Sequence, residues 1–209
     1  MAEVVALVDY GAGNLHSVEN ALKAAGAGSV AVTADPSVVR AADRIVLPGV
    51  GSFKACAEGL RAIRGLIEAM EERVHVGGAP FLGICVGMQL LASRGVEHGV
   101  TPGLGWIAGE VLKIERTDPA IKIPHMGWND VALPVHPPAG GLIEPGEAYF
   151  LHSYHFVPED GHAIAAMTDH GGGLVAAVGR DNVVGVQFHP EKSQSYGLAL
   201  LARFLDWKP

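Results

Sequence analysis

Apolar residues form short unbroken runs in the first half of the chain. The runs VVALVDY, SVAVTAD, RIVLPG and APFLGI predict four strands, and the first has the continuous apolar character of a strand buried on both faces. Asn14 is placed to cap a helix after the first strand, and Gly26 or Gly28 can end it. The segment 52–73 predicts one helix, because apolar residues recur there at helical spacing: Phe53, Ala57, Leu60, Ile63, Ile67 and Met70. GMQLLASR predicts a further helix after the fourth strand, and this alternation is typical of a parallel sheet with right-handed crossovers.

The second half of the chain has shorter apolar runs that are separated by glycine and proline. From Gly105 to Gly185, the runs WIAGEVLKI, AYFLHSYHFV, AIAAMTD, GLVAAVG and VVGVQF predict antiparallel or mixed strands that continue the same sheet. SYGLALLARFLDW predicts a closing amphipathic helix. Because no linker, repeat or low-complexity segment interrupts the pattern, we expect residues 1–209 to form one α/β domain. The predicted architecture is doubly wound and flavodoxin-like, with a mixed central sheet and helices on both faces.

Composition narrows the classes of function. Apolar residues make up 49% of the 209 residues and charged residues 18%, which excludes a disordered chain. The net charge is −7 and the basic residues are scattered, which argues against a nucleic-acid partner. No apolar run reaches about 18 residues, so no membrane span is expected. Two cysteines, Cys56 and Cys85, are too few for a disulfide framework and favour a cytoplasmic location.

The segment FLGICVGMQLL places Cys85 at the junction between a strand and a helix, with Gly83 and Gly87 two residues to either side. This G-x-C-x-G pattern is typical of a nucleophile elbow, a sharp turn whose neighbours must be small. The following helix would favour the thiolate, and the N–H of Val86 could donate to an oxyanion. The alternative is a small buried apolar side chain. We expect that simpler role for Cys56, which has no glycine frame.

A cysteine nucleophile needs a base and a group that orients the base. Among ten histidines, His189 ends an apolar strand and precedes Pro190, which favours an extended conformation. Because residues i and i+2 of an extended chain point the same way, Glu191 should lie beside His189. The alternative is a polar strand end with an unrelated histidine.

The segment LPGVGSF follows the third predicted strand. Gly49 and Gly51 flank Val50, so this backbone could approach a ligand closely at the carboxyl end of the sheet. An ordinary turn between strand and helix is the alternative.

Three other motifs have residue types that occur in binding sites. DYGAGN resembles the start of a dinucleotide-binding loop, but His16 occupies the third glycine position, which favours a tight turn. His152 and His155 of HSYH have no second ligand pair and alternate along a predicted strand, so no metal or other cofactor is expected. Trp128 in PHMGWN indicates either an interface or core packing.

Together these motifs resemble the class I, or triad-type, glutamine amidotransferases. GICVGMQ and HPE are the two signatures of that family, and PGVG is its oxyanion-side loop. DYGAGNLHSV, LPGVGSF, GICVGMQLL, IPHMGWN, YFLHSY and GVQFHPEKS follow in this order along nearly the whole chain. This order is similar to that of the glutaminase subunits of imidazole glycerol phosphate synthase, which acts in histidine biosynthesis.

The resemblance implies a reaction and a set of residues. Cys85 would attack the side-chain amide of glutamine to form a γ-glutamyl thioester, His189 would carry the proton, and Glu191 would orient His189. The implied substrate-binding residues are Gly49, Gln89, Ser153 and Tyr154. The implied oxyanion donors are the N–H of Val86 and a second N–H from Val50 or Gly51. The glycines would allow a peptide of this loop to rotate on activation.

The resemblance also implies a partner. The ammonia would pass to a (βα)₈-barrel synthase subunit in a heterodimer, and occupation of the synthase site would stimulate the glutaminase. Trp128, Asn129 and Lys192 are the residues that we expect at this interface. A cysteine hydrolase without a partner and a binding module with an incidental triad are the rival functions.

Overall fold

The computed structural model describes residues 3–209. In chain order its strands are β1 (Val4–Val8), β2 (Ser29–Thr33), β3 (Arg44–Gly49), β4 (Phe81–Cys85), β5 (Arg94–Gly95), β6 (Thr101–Pro102), β7 (Gly109–Lys113), β8 (His125–Val131), β9 (Gly146–His152), β10 (Tyr154–Pro158), β11 (Ile164–Asp169), β12 (Gly173–Arg180) and β13 (Val183–Val186). Its α-helices are α1 (Leu15–Ala24), α2 (Pro36–Ala41), α3 (Phe53–Ala62), α4 (Leu66–Glu71), α5 (Val86–Gln89) and α6 (Gln194–Asp206).

A seven-stranded mixed sheet forms the centre of the molecule, in the order β11-β12-β13-β4-β3-β1-β2. Parallel pairing joins the five strands β2, β1, β3, β4 and β13. Strand β12 pairs antiparallel with β13, and β11 pairs antiparallel with β12. Strands β3 and β4 are buried along their whole length, as expected for strands covered on both faces. Helices α1 and α6 pack together, and α2 and α3 pack against α4. With right-handed crossovers these two groups cover opposite faces, which confirms the doubly wound, flavodoxin-like prediction.

The first predicted helix is capped as expected. The side chain of Asn14 accepts a hydrogen bond from the N–H of Ser17 at 3.4 Å, and Gly26 adopts a φ of 106° just beyond α1. The prediction of one helix over 52–73 is wrong, because Gly65 adopts a left-handed φ of 81° between α3 and α4. A π-helical turn, Glu72–Val76, follows α4 directly.

The helix predicted for GMQLLASR is also shorter than expected. It ends at Gln89, because the carbonyls of Leu90 and Ala92 accept hydrogen bonds from Leu104 and Gly105 and are drawn out of a helical path. The four residues of α5 form about one turn, so the helix dipole contributes less at Cys85 than a full helix would.

The prediction that the strands of the second half continue one sheet is correct only for β11, β12 and β13. Strands β10, β7, β5 and β6 form a separate four-stranded sheet, and β8 pairs with β9 alone. The run AYFLHSYHFV contains two strands that divide at Ser153, and β9 and β10 enter different sheets on either side of it. Within residues 3–209, no helix is long and apolar enough to cross a membrane.

Candidate active site

Cys85 ends the central strand β4 and begins α5, as the elbow pattern predicts. Its backbone has φ 54° and ψ −111°, a conformation that L-residues rarely adopt. The residue is only 4% exposed, so its backbone strain is held by the surrounding core. Both cysteines are free thiols.

The two glycines around Cys85 have no space for a side chain. A Cβ on Gly83 would lie 2.6 Å from the carbonyl oxygen of Gly87, and a Cβ on Gly87 would lie 1.9 Å from the carbonyl oxygen of Leu47. Both neighbours are backbone atoms in or beside the central sheet, so they cannot turn away. The expectation that residues two positions from the cysteine must be small is confirmed.

His189 and Glu191 form a buried pair beside the elbow. The backbone of His189 is extended, with φ −103° and ψ 98°, and its Nδ1 lies 2.8 Å from Oε1 of Glu191. The His189 N–H donates to the carbonyl of Tyr149, and the Ser193 hydroxyl donates to the His189 carbonyl. These contacts leave Nε2 as the ring nitrogen available to Cys85, which lines the same cavity as His189.

The surroundings of His189 favour its protonated form. Burial disfavours the imidazolium, but hydrogen bonds to Cys85 and Glu191, together with their negative charge, raise the pKa of His189 to about 10. The Glu191 carboxylate, 2.8 Å from Nδ1, stabilises the positive charge of the protonated ring. The arrangement can therefore supply a nucleophilic sulfur together with a proton donor.

A cavity of about 160 Å³ opens over Cys85. Gln89, on α5, lines this cavity, but its amide nitrogen donates to the carbonyl of Tyr154 at 3.0 Å and to Oε1 of Gln187 at 2.9 Å. The side-chain carbonyl of Gln89 is therefore the group left to meet a ligand. Ser153 lines the cavity as well, at the point where β9 gives way to β10.

Sequence reasoning missed two residues of this site. Gln187, fully buried, directs Nε2 toward the sulfur of Cys85 at 3.7 Å. Glu97 lines the cavity and accepts a hydrogen bond from the N–H of Phe53 at 2.7 Å. Glu97 belongs to no local motif, whereas Gln187 lies within GVQFHPEKS, and its position two residues before His189 on an extended chain was a usable signal.

The glycine loop after β3 borders the cavity through Val50 and Gly51. Where β3 pairs with β4, the N–H of Ile45 donates to the carbonyl of Pro80. Alternate residues of a strand bond to the same neighbouring strand, so Gly49, four residues after Ile45, also bonds toward β4. Gly49 pairs with Cys85 in this register, so its carbonyl is directed toward the N–H of Val86. The Val86 N–H, one of the two predicted oxyanion donors, therefore faces the Gly49 carbonyl in this conformation.

Two of the three predicted interface residues, Trp128 and Lys192, lie on one surface beside the cavity. Trp128 is 48% exposed, which contradicts the alternative of core packing, and its ring contacts that of Tyr149 edge-on. Lys192 places its Nζ 5.9 Å from the centroid of the Tyr149 ring and lines the cavity. Asn129 instead uses its amide within the chain, on the carbonyl of Asp169 and the ring of His125.

His152 of HSYH takes part in local hydrogen bonds, whereas the buried Nδ1 of His155 has no hydrogen-bond partner. His152 bonds to the carbonyl of Tyr154 and to the ring of His125, at 2.9 and 3.0 Å. Burial lowers the pKa of His152 to about 3 and that of His125 to about 4. In the part of the chain that the structure describes, no group of three or more His, Cys, Asp or Glu is arranged to hold a metal ion.

Comparison with known proteins places this geometry in a family. The model of the family described as glutamine amidotransferase class-I matches residues 6–207. The chain is 58% identical to the imidazole glycerol phosphate synthase subunit HisH of Zymomonas mobilis, with 100% of this chain and 98% of the relative covered. It is 53% identical to the subunit of the same name from Caulobacter vibrioides, with 99% and 100% covered.

Solved structures agree at the level of the fold. A crystal structure of a glutamine amidotransferase matches with a TM-score of 0.72, 20% identity and 97% coverage of each chain. PurLQS from Thermotoga maritima matches with a TM-score of 0.70, 20% identity and 98% coverage of each chain. The family match and the close full-length relatives support one conclusion. The chain belongs to the class-I glutamine amidotransferase family.

Proposed function

We propose that this chain is the glutaminase subunit of an imidazole glycerol phosphate synthase and supplies ammonia for a step of histidine biosynthesis. The observation that carries the proposal is the juxtaposition of Cys85, His189 and Glu191 at a strained elbow beneath a small cavity. The full-length similarity to HisH subunits supports the choice of synthase among the many enzymes that use this domain.

In the proposed reaction, the sulfur of Cys85 attacks the side-chain carbonyl carbon of glutamine. His189 gives a proton to the amide nitrogen as the carbon–nitrogen bond breaks, and ammonia leaves. The product is a γ-glutamyl thioester. His189 then removes a proton from water, which attacks the thioester and releases glutamate with the thiol. Glu191 holds the ring of His189 through Nδ1 at both stages.

The polar groups of the cavity fit the two ends of glutamine. Glu97 offers a carboxylate for the α-ammonium group, and the predicted residues Ser153 and Tyr154 offer backbone groups at the junction between β9 and β10. Gln89 is bonded to the carbonyl of Tyr154, so it holds this junction against the nucleophile side of the cavity. There is no space for a side chain at Gly49, because a Cβ there would lie within 3 Å of atoms of Tyr10, Val86 and Gly87.

Stabilisation of the oxyanion requires the loop after β3 to change. The Gly49 carbonyl is directed toward the Val86 N–H, which must be released before it can donate to substrate. Rotation of the peptide between Gly49 and Val50 would turn that carbonyl away and bring the Val50 N–H toward Cys85. Both N–H groups could then point at the developing negative charge.

The surface around the cavity suits a protein partner that controls this rotation. Exposed Met126, Trp128 and Leu151 are neighbours across β8 and β9, and Val50 and Lys192 border the same opening. An apolar patch with a charged rim at the mouth of an active site is typical of a docking surface. We assign it to a (βα)₈-barrel synthase subunit that receives the ammonia and uses it to close an imidazole ring.

The test is release of glutamate from glutamine by the purified chain, alone and with the barrel subunit plus a ligand of its active site. We expect activity that rises strongly with the liganded partner and is abolished by Cys85→Ala. Cys85→Ala should still bind glutamine in calorimetry, which separates loss of the nucleophile from loss of the fold. Hydrolysis that survives Cys85→Ala, or no hydrolysis in any combination, would contradict the proposal.

A further inference from the structure

Two buried donors outside the predicted triad converge on the loop after β3. Tyr10 lies just beyond β1, and its hydroxyl donates to the carbonyl of Pro48 at 2.7 Å. Cys56 lies in α3, and its thiol donates to the carbonyl of Val50 at 3.4 Å. Both side chains are buried, at 5% and 0% exposure, so neither contact is shared with bulk solvent.

The two carbonyls belong to the peptides on either side of the one that the proposed mechanism rotates. Pro48 contributes the carbonyl of the preceding peptide, and Val50 contributes that of the following peptide. Rotation of either flanking peptide would leave a buried donor without an acceptor, which is unfavourable. The peptide between Gly49 and Val50 is therefore the one segment of this loop that can turn without breaking these two contacts.

The donors themselves are held in the protonated form. Burial raises the pKa of the Tyr10 hydroxyl and also raises the pKa of the Cys56 thiol, so both keep their hydrogens at neutral pH. The Tyr10 oxygen is also so close to Gly49 that a Cβ there would lie 2.8 Å from it.

We propose that Tyr10 and Cys56 are positioning residues for the oxyanion loop: they fix the carbonyls of Pro48 and Val50 and confine the activating movement to the Gly49–Val50 peptide. This inference rests on the proposed glutaminase function and adds two residues that touch neither substrate nor nucleophile. It also gives Cys56 a role beyond the core packing that the sequence predicts.

The test compares Tyr10→Phe, Cys56→Ala and Cys56→Ser in the complex with the liganded barrel subunit. We expect Tyr10→Phe and Cys56→Ala each to lower kcat about tenfold, which is the factor associated with loss of one hydrogen bond. KM for glutamine should stay within about twofold of the wild-type value, because the loop does not hold the two ends of the substrate. Cys56→Ser keeps a donor and should restore most of kcat.

Two controls separate positioning from a general loss of structure. Tyr196→Phe removes a similar bond, from a tyrosine hydroxyl to the carbonyl of Glu144 at 2.7 Å, away from the cavity, and should leave kcat unchanged. The rate of alkylation of Cys85 by iodoacetamide, followed by mass spectrometry, should be unchanged in Tyr10→Phe and Cys56→Ala, because alkylation needs the thiolate but no oxyanion donors.

The outcomes distinguish the inference from the function on which it rests. A wild-type complex that releases no glutamate overturns both. A wild-type complex that is active while Tyr10→Phe and Cys56→Ala keep its kcat overturns the positioning role alone. A parallel fall in kcat and in the alkylation rate, or an equal loss in Tyr196→Phe, also overturns it, since the effect would then reach the nucleophile or the whole fold.

Discussion

The space around Gly87 gives a prediction whose size can be worked out from the structure. In Gly87→Ala the added carbon would lie 1.9 Å from the carbonyl oxygen of Leu47, whereas ordinary contacts begin at 3.4 Å. The backbone must move by the difference, 3.4 − 1.9 = 1.5 Å, because the oxygen is a main-chain atom and a Cβ is fixed rigidly to the main chain. Leu47 lies in the middle of β3, where hydrogen bonds to the neighbouring strands keep it in place.

The elbow must therefore move away from the sheet. Insertion of a methylene into a packed core costs about 1–3 kcal/mol, and a clash with fixed backbone belongs at the upper end or above it, so we expect Gly87→Ala to lose about 3 kcal/mol or more of unfolding free energy. A displacement of about 1 Å at a nucleophile costs about 100-fold in rate. The variant protein that folds should show at least that loss of glutaminase activity.

Urea unfolding and glutamate release would be measured together for Gly87→Ala and for Gly140→Ala. A Cβ on Gly140 meets nothing within 4 Å, so this control should stay within about 0.5 kcal/mol of the wild type and keep full activity. The reasoning is refuted if Gly87→Ala loses less than about 1 kcal/mol and remains fully active. In that case the elbow would be far more tolerant than its contacts imply.

Three further predictions concern charged and titratable groups. Glu191→Gln removes the carboxylate that holds and stabilises the His189 ring and should lower kcat about 100-fold; an unchanged kcat in steady-state kinetics would contradict it. Glu97→Gln should raise KM for glutamine about tenfold with little change in kcat, and a pure kcat effect in steady-state kinetics would argue against a substrate contact. Because the pKa values of His125 and His152 are lowered by burial to about 4 and 3, only the unfolded chain gains their protons below about pH 6.5. Stability in urea should therefore fall between pH 7 and pH 5, and His152→Gln should flatten that dependence.

The parts of the fold that the sequence predicts are those determined by local pattern. The strands β1, β3 and β4 are buried on both faces and so leave continuous apolar runs that need no knowledge of their neighbours. The elbow at Cys85 and the pair of His189 with Glu191 were predictable for the same reason, since spacing of two residues within one segment fixes their relative positions.

The parts that could not be predicted depend on contacts between distant segments. One apolar run spans β9 and β10, and the division at Ser153 is determined by pairing with β8 on one side and β7 on the other. The same is true of the site, because Glu97 reaches the cavity through a bond to Phe53, 44 residues away in sequence. Pairings of this kind depend on the tertiary fold and leave no periodic trace in the chain.

The backbone at Cys85 has a consequence for how such a protein can evolve. A positive φ of 54° at a residue with a side chain costs about 1–3 kcal/mol, which glycine at the same position would largely recover. Cys85→Gly should thus unfold at a higher urea concentration than the wild type while losing all glutaminase activity. A lineage that no longer needed ammonia from this chain would be free to drift toward the more stable, silent sequence. Retention of the strained cysteine would then be a record of continued selection for catalysis.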